Sequence, residues 1–246
     1  MKRATARRSA LAAYLDESRD IGLSLLLVLP LLLGYEIAMA LLGPPVRNAA
    51  EDAVVSLASR LTPETAAWLR RGLICLLLAL AVVLARREAP AVARARWLLL
   101  EALVLALALG PLVGWMIGGL GLSMHPPSSI GSSPAWLPFL LSVGAGVWEE
   151  LVFRLALLGG VTLVLTRALH VPTLVATGTA VLVSALAFAL YHHVGVTGEP
   201  LEPGRFAFRL IAGTILGVLF VTRGFAVVVY MHVFYDLLCD LRSLHG

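Results

Sequence analysis

The sequence predicts an all-α, polytopic bundle of about seven transmembrane helices enclosing an intramembrane polar cavity. Three observations predict it. Of the 246 residues, 59% are apolar and 14% charged, whereas a soluble globular domain carries about 25% charged residues. Apolar runs near the 20 residues needed to cross a bilayer recur along the chain. Ionisable side chains nevertheless stand inside several of those runs, where each costs at least ~2.5–3.5 kcal/mol on insertion scales. Residues 1–135 read as a basic lead with three accessory spans. Residues 136–246 read as the core that carries the chemistry.

Residues 1–20 hold Lys2, Arg3, Arg7, Arg8 and Arg19, a basic lead suited to the cytoplasmic face. Ile21–Leu42 is the first span. Ala38-Met39-Ala40 mimics a signal-peptidase site, but the apolar run is long and interrupted by Pro30 and Glu36, so retention is expected. Gly43 to Ala67 is a loop with a mildly amphipathic piece. Trp68–Ala85 is span two, opened by Thr62-Pro63-Glu64 with proline at the first helical position. Trp97–Leu120 is span three. It carries Glu101, Pro111 and the ladder Gly110, Gly114, Gly118, a pattern that favours close helix contact.

Trp136–Ala168 is span four. Unbroken, its 33 residues would reach about 50 Å, more than a bilayer needs, so Gly159-Gly160 is expected to kink or divide it. Pro172–His193, Arg205–Thr222 and Phe225–Leu241 complete the set, the last with the weakest signal. With the N-terminus cytoplasmic, that side holds eleven basic residues: Lys2, Arg3, Arg7, Arg8, Arg19, Arg86, Arg87, Arg94, Arg96, Arg167 and Arg223. The other side holds seven: Arg47, Arg60, Arg70, Arg71, Arg205, Arg209 and Arg242. The bias supports N-in. It also accounts for the net charge of +4, which reports topology and not nucleic-acid binding. Cys75 and Cys239 fall in apolar runs and read as small buried thiols, without disulfide or zinc-type spacing.

Span four contains Trp148-Glu149-Glu150-Leu151-Val152-Phe153-Arg154. On a helix Glu150 and Arg154 are i,i+4 with the acid first, the better orientation for a pair. Glu149 lies about 100° round the helix. The pair therefore reads as a structural clamp and Glu149 as a working carboxylate. Span five ends with Phe188 and His192 on one face, and span seven places His232 and Asp236 on one face. Converged, these faces form a buried carboxylate–imidazole cluster suited to hydrolysis. A carboxylate in a low-dielectric pocket is a better proton acceptor than one in water, and a neighbouring imidazole can orient the water. A second polar pair can stabilise the oxyanion. Glu149, His192 and His232 could equally hold Zn²⁺ with an open position.

The bland readings stand beside these. A lone intramembrane histidine is commonly a hydrogen-bonded packing group. His193 reads as an interface residue or a support for its neighbour. Glu36 and Glu101 read as inter-helix glue. His125, His170 and His245 are loop, boundary and tail residues. Trp68, Trp97 and Trp136 fit interface belts. One feature resists the cluster: counted from span ends at about 1.5 Å per residue, His192 and His232 fall at different depths. Convergence requires shifted boundaries or a buried Arg223-Gly224 turn, which is permitted only inside protein or along a wet cavity.

Glu-Glu-x-x-x-Arg (149–154), Phe-x-x-x-His (188–192) and His-x-x-x-Asp (232–236), in order on separate apolar spans, resemble the CPBP family of CAAX prenyl proteases and bacteriocin-processing intramembrane proteases, which includes the type II CAAX endopeptidases. The glycine-rich Ala212–Gly217 approach looks like the family too. The likeness covers roughly residues 136–241. It implies an internal cavity, Glu149 and His192 as the water-activating pair, and His232 with Asp236 as support for the oxyanion. Glu150, Arg154, Phe188 and His193 would then be structural or supporting. Two positions depart from the family pattern. Leu155 stands where glycine often follows the arginine. Asp236 stands where many members have asparagine, and an ionised aspartate cannot donate to an oxyanion.

The resemblance implies a hydrolase, an intramembrane endopeptidase of a membrane-associated or C-terminally sorted substrate, with the bilayer and a peptide or membrane protein as partners, no nucleic acid, and an optional Zn²⁺. The Ala-, Leu- and Arg-rich composition reads as bacterial, hence an inner-membrane protein. The competing readings are a non-catalytic immunity, scaffold or protease-partner protein, and a small proton-coupled transporter. The absence of a repeated half argues against the transporter.

Overall fold

A computed structural model describes residues 10–42, 50–51, scattered positions between 68 and 83, 95–123, 134, 136–194 and 198–243 of the chain. The expected span Trp68–Ala85, residues 1–9, His125 and His245 lie wholly or mostly outside the described residues. Among the described residues the regular elements are all helical: α1 (Ala10–Ser18), α2 (Ile21–Leu42), α3 (Ala95–Gly119), α4 (Trp136–Ala168), α5 (Thr173–Tyr191), α6 (Pro203–Arg223) and α7 (Phe225–Ser243). The helices α2 to α6 are each long and apolar enough to cross a membrane. The seventh expected span, α7, carries Asp236, Asp240 and Arg242 in its second half.

The bundle is organised around α7. Its first turns, Phe225 to Val229, are buried on every side, which is how a helix apolar all round is accommodated. It packs against α3, α4, α2 and α6. The core face of α3 is the stripe Ala102, Ala106, Leu109, Val113, Ile117, at the 3–4 spacing of one helix side. The expected Gly110–Gly114–Gly118 interface is therefore only partly formed. A Cβ on Gly110 would touch Tyr235, while Gly114 and Gly118 have nothing within 4 Å. The close contact lies elsewhere: a Cβ on Gly146 of α4 would fall 2.4 Å from Val233 Cγ2 and 2.8 Å from Val233 N of α7. We expect Gly146→Ala to separate α4 from α7, costing about 1–3 kcal/mol by overpacking. The exposed Gly178→Ala, with nothing within 4 Å, should be silent. Thermal unfolding in detergent reads the difference.

Gly159-Gly160 do not divide α4. Both remain helical, and the irregularity instead takes the form of two wider π-helical stretches, Glu150–Leu158 and Val164–Ala168. Ser184 Oγ of α5 donates to the Phe153 carbonyl at 2.7 Å, inside the first π stretch. The thiols also differ from expectation. Cys75 and Cys239 are free and exposed, not buried.

The expected difference in depth does not keep His192 and His232 apart. His232 is seven residues, about 10 Å, from the start of α7, whereas His192 follows the whole of α5, about 28 Å long. The two nevertheless line one cavity. The Arg223-Gly224 turn is satisfied by protein. Arg223 Nε and Nη2 bind Glu101 of α3 at 2.5 and 2.7 Å. Tyr14 of α1 donates its hydroxyl to the same carboxylate. Burial first, and then Glu101, push the Tyr14 hydroxyl up from its ordinary value. Arg19 Nε caps the end of α6 at Thr222 O, 2.6 Å away. Gly224 has φ +92°, and a Cβ there would lie 2.0 Å from Ser18 O, so conformation and space both demand glycine. Asp20 Oδ1 accepts the Leu23 N–H at 2.8 Å and starts α2 as its N-cap.

Candidate functional site

The site begins at the junction where α4 changes from α to π geometry, between Glu149 and Glu150. Single π turns inside α-helices are frequent at functional sites. Glu150 and Arg154 are both 0% exposed, and Arg154 Nη1 stands 2.9 Å from Glu150 Oε1. Two buried ions of this kind need further partners to offset desolvation. Arg154 Nη2 donates to the Gly213 carbonyl of α6 at 3.3 Å, and its guanidinium stacks 4.5 Å above the Phe188 ring of α5. Glu150 Oε1 also accepts the His232 Nδ1–H of α7 at 2.8 Å. One ion pair thus fastens α4, α5, α6 and α7 together and sets the rotation of the His232 ring.

His192 is fixed by a different acceptor. Its Nδ1 lies 2.7 Å from the Phe188 carbonyl. A carbonyl only accepts, so Nδ1 carries the proton and Nε2 is left facing the cavity. Phe188 therefore serves twice, through its ring under Arg154 and its carbonyl under His192. Both imidazoles present Nε2 to Glu149, His192 at 4.0 Å and His232 at 3.8 Å. Asp236 Oδ2 is 3.5 Å from His232 Nε2. Glu149, His192, His232 and Asp236 line one cavity of about 280 Å³. The four residues expected from three separate helices are thus within reach of each other, and Glu149 can share one water with either imidazole.

His193 points away from Glu149. Its Nδ1 donates to the Glu199 carbonyl at 3.0 Å, tying the α5–α6 connection to the end of α5. Sequence reasoning missed what that connection brings. Arg205 and Arg209, counted above only as topology-setting charges, both bind Glu199, and Arg209 lines the cavity beside His192. Two arginines at i,i+4 just after two glutamates were the available signal. Tyr235 is a cavity wall as well. Tyr230 has its hydroxyl satisfied by Leu27 O at 2.8 Å.

Residues 131–238 match the family model described as type II CAAX prenyl endopeptidase Rce1-like. No curated protein and no solved structure matches the chain. The matched segment spans all three motifs and every residue of the cavity except Leu109. Across residues 131–238 the chain is therefore similar to the type II CAAX prenyl endopeptidases, the family its motifs resemble.

Proposed function

We propose that this protein is an intramembrane endopeptidase that hydrolyses a peptide bond with a water held between Glu149 and His192. The observation that carries the reading is the pair of anchored imidazoles, each with Nε2 turned toward the buried Glu149 carboxylate. A water hydrogen-bonded to two groups holds them about 4–4.5 Å apart. The 3.8 and 4.0 Å separations lie near that span. Glu149 takes a proton from this water as its oxygen attacks the scissile carbonyl carbon. The oxyanion then forms beside His232, whose Nε2, when protonated, donates to it. Asp236, an acceptor when ionised, orients His232 and keeps that proton at Nε2. The carbon–nitrogen bond breaks as the proton on Glu149 passes to the leaving amine.

Zn²⁺ is the other chemistry these donors suit in kind. Glu149, His192 and His232 would hold it, and the ion would act as a Lewis acid on the carbonyl. Their spacing is less suitable, because atoms bound to one tetrahedral zinc lie only ~3.3 Å apart. Among the described residues no three His, Cys, Asp or Glu groups are arranged to hold a metal. We therefore expect cleavage to survive exhaustive chelation. Loss of activity on chelation, restored by Zn²⁺, would replace the water pair by a metal.

Substrate cleavage itself is tested by profiling the N- and C-termini of membrane proteins in cells carrying the wild type or His192→Ala. New termini should appear with the wild type alone. Identical termini in both would favour a non-catalytic role for the same fold.

A further inference from the structure

The cavity that holds Glu149 also holds a cation that the hydrolytic scheme does not use. Arg209 lines it from α6. Its guanidinium is gripped by Glu199 in a bidentate fork, Nη1 to Oε2 at 2.9 Å and Nη2 to Oε1 at 2.8 Å. This is the geometry by which arginine recognises any carboxylate. Glu199 is itself fixed to the site. Its N–H donates to the His192 carbonyl at 2.9 Å, and its own carbonyl accepts from His193 Nδ1. Arg205 adds a contact to Glu199 at 3.1 Å and another to Glu202 at 3.2 Å. Hydrogen bonds from Arg209 and then the charges of both arginines hold the Glu199 carboxyl down at about 2, so it stays ionised across the neutral range. The remaining walls are largely apolar, with Leu109, Phe208 and Leu216 among them. Two of the five N–H groups of Arg209 serve Glu199, and the fork can be shared or exchanged.

We propose that Arg209 is a specificity-determining residue that takes a carboxylate of an apolar peptide, and that Glu199 is an internal stand-in for that carboxylate until the peptide enters. The ligand is a short apolar peptide with one anionic group, either its chain terminus or an acidic side chain. Naming that ligand the substrate rests on the hydrolase reading. The recognition itself does not.

Binding to the full chain carrying Glu149→Gln, in nanodiscs, separates the two. The probes are dansylated Ala-Leu-Val-Leu as free acid, the same peptide as C-terminal amide, and Ala-Leu-Val-Glu amide. The free acid should bind at least about tenfold more tightly than the neutral amide, the equivalent of one charge-assisted hydrogen bond. A Glu-amide that matches the free acid assigns the carboxylate to a side chain, and one that matches the neutral amide assigns it to the chain terminus. Adding Arg209→Gln should erase the acid preference, and Arg209→Lys should weaken it. Adding Glu199→Gln should move affinity for the acid the opposite way, upward, because the competitor is gone. A purely structural ion pair would make both neutralising variants worse. Equal binding of acid and amide, binding of none of the three probes, or an undiminished preference in Arg209→Gln or Arg209→Lys overturns the proposal. None of these results depends on turnover, so a chain that binds the acid but cleaves nothing would refute the hydrolase reading alone.

Discussion

Glu149→Gln should abolish peptide cleavage by the purified protein while leaving its unfolding temperature and membrane insertion unchanged. The substitution keeps size and shape, so the packing of a side chain 5% exposed is retained. What it removes is the capacity to accept a proton from water. General-base contributions are typically 10²–10⁴-fold, and His232 cannot replace the group, since its Nδ1 proton is held by Glu150 and its Nε2 proton serves the oxyanion. The effect should therefore fall in kcat with little change in KM. A second carboxylate variant supplies the contrast. Glu150→Gln strikes the ion pair and the His232 anchor together, so it should lower stability and rate at once. Full activity of Glu149→Gln would remove that residue from the role of base.

Arg154→Ala should remove most of the folded protein. Arg154 is 0% exposed and so is Glu150, and truncating one partner of a buried pair leaves an uncompensated charge at a cost of about 3–5 kcal/mol. The stack on Phe188 and the hydrogen bond to Gly213 disappear with it. Total stabilities of about 5–15 kcal/mol leave little margin for such a loss. Protein level in membranes and unfolding in detergent both read it. Replacing both partners separates stability from function. In Glu150→Leu with Arg154→Met the buried charges are gone, so stability should recover toward wild type, as apolar replacements of buried pairs commonly allow. Activity should not recover, because His232 Nδ1 then has no acceptor to set its ring.

Much of this was legible in the sequence because membrane insertion is so selective. Charges inside apolar runs announce themselves, and i,i+4 spacing gives Glu150–Arg154, Phe188–His192 and His232–Asp236 without any tertiary knowledge. What spacing could not give was partnership across helices. Glu150 looked complete once paired with Arg154, so its second bond, to His232, had no trace in either segment. Glu199 was missed because its carboxylate acts on a helix that begins several residues later, through a connection whose path is set by His192 and His193. The α3 glycines misled for the opposite reason. Small residues permit a close approach but do not compel one, and the apolar stripe of α3 faces elsewhere. Gly146 carried no visible pattern, yet a Cβ there would run into Val233 of α7.

Arg19 reaches Thr222 across 203 positions of chain, and Tyr14 and Ser18 close over Arg223 and Gly224 in the same region. During synthesis α1 emerges long before the end of α6 exists, since chains are made from the N-terminus at about 5–20 residues per second. Until α6 and the turn after it are released, α1 lacks these partners. A ribosome that stalls before Gly224 therefore leaves α1 without the turn it closes upon.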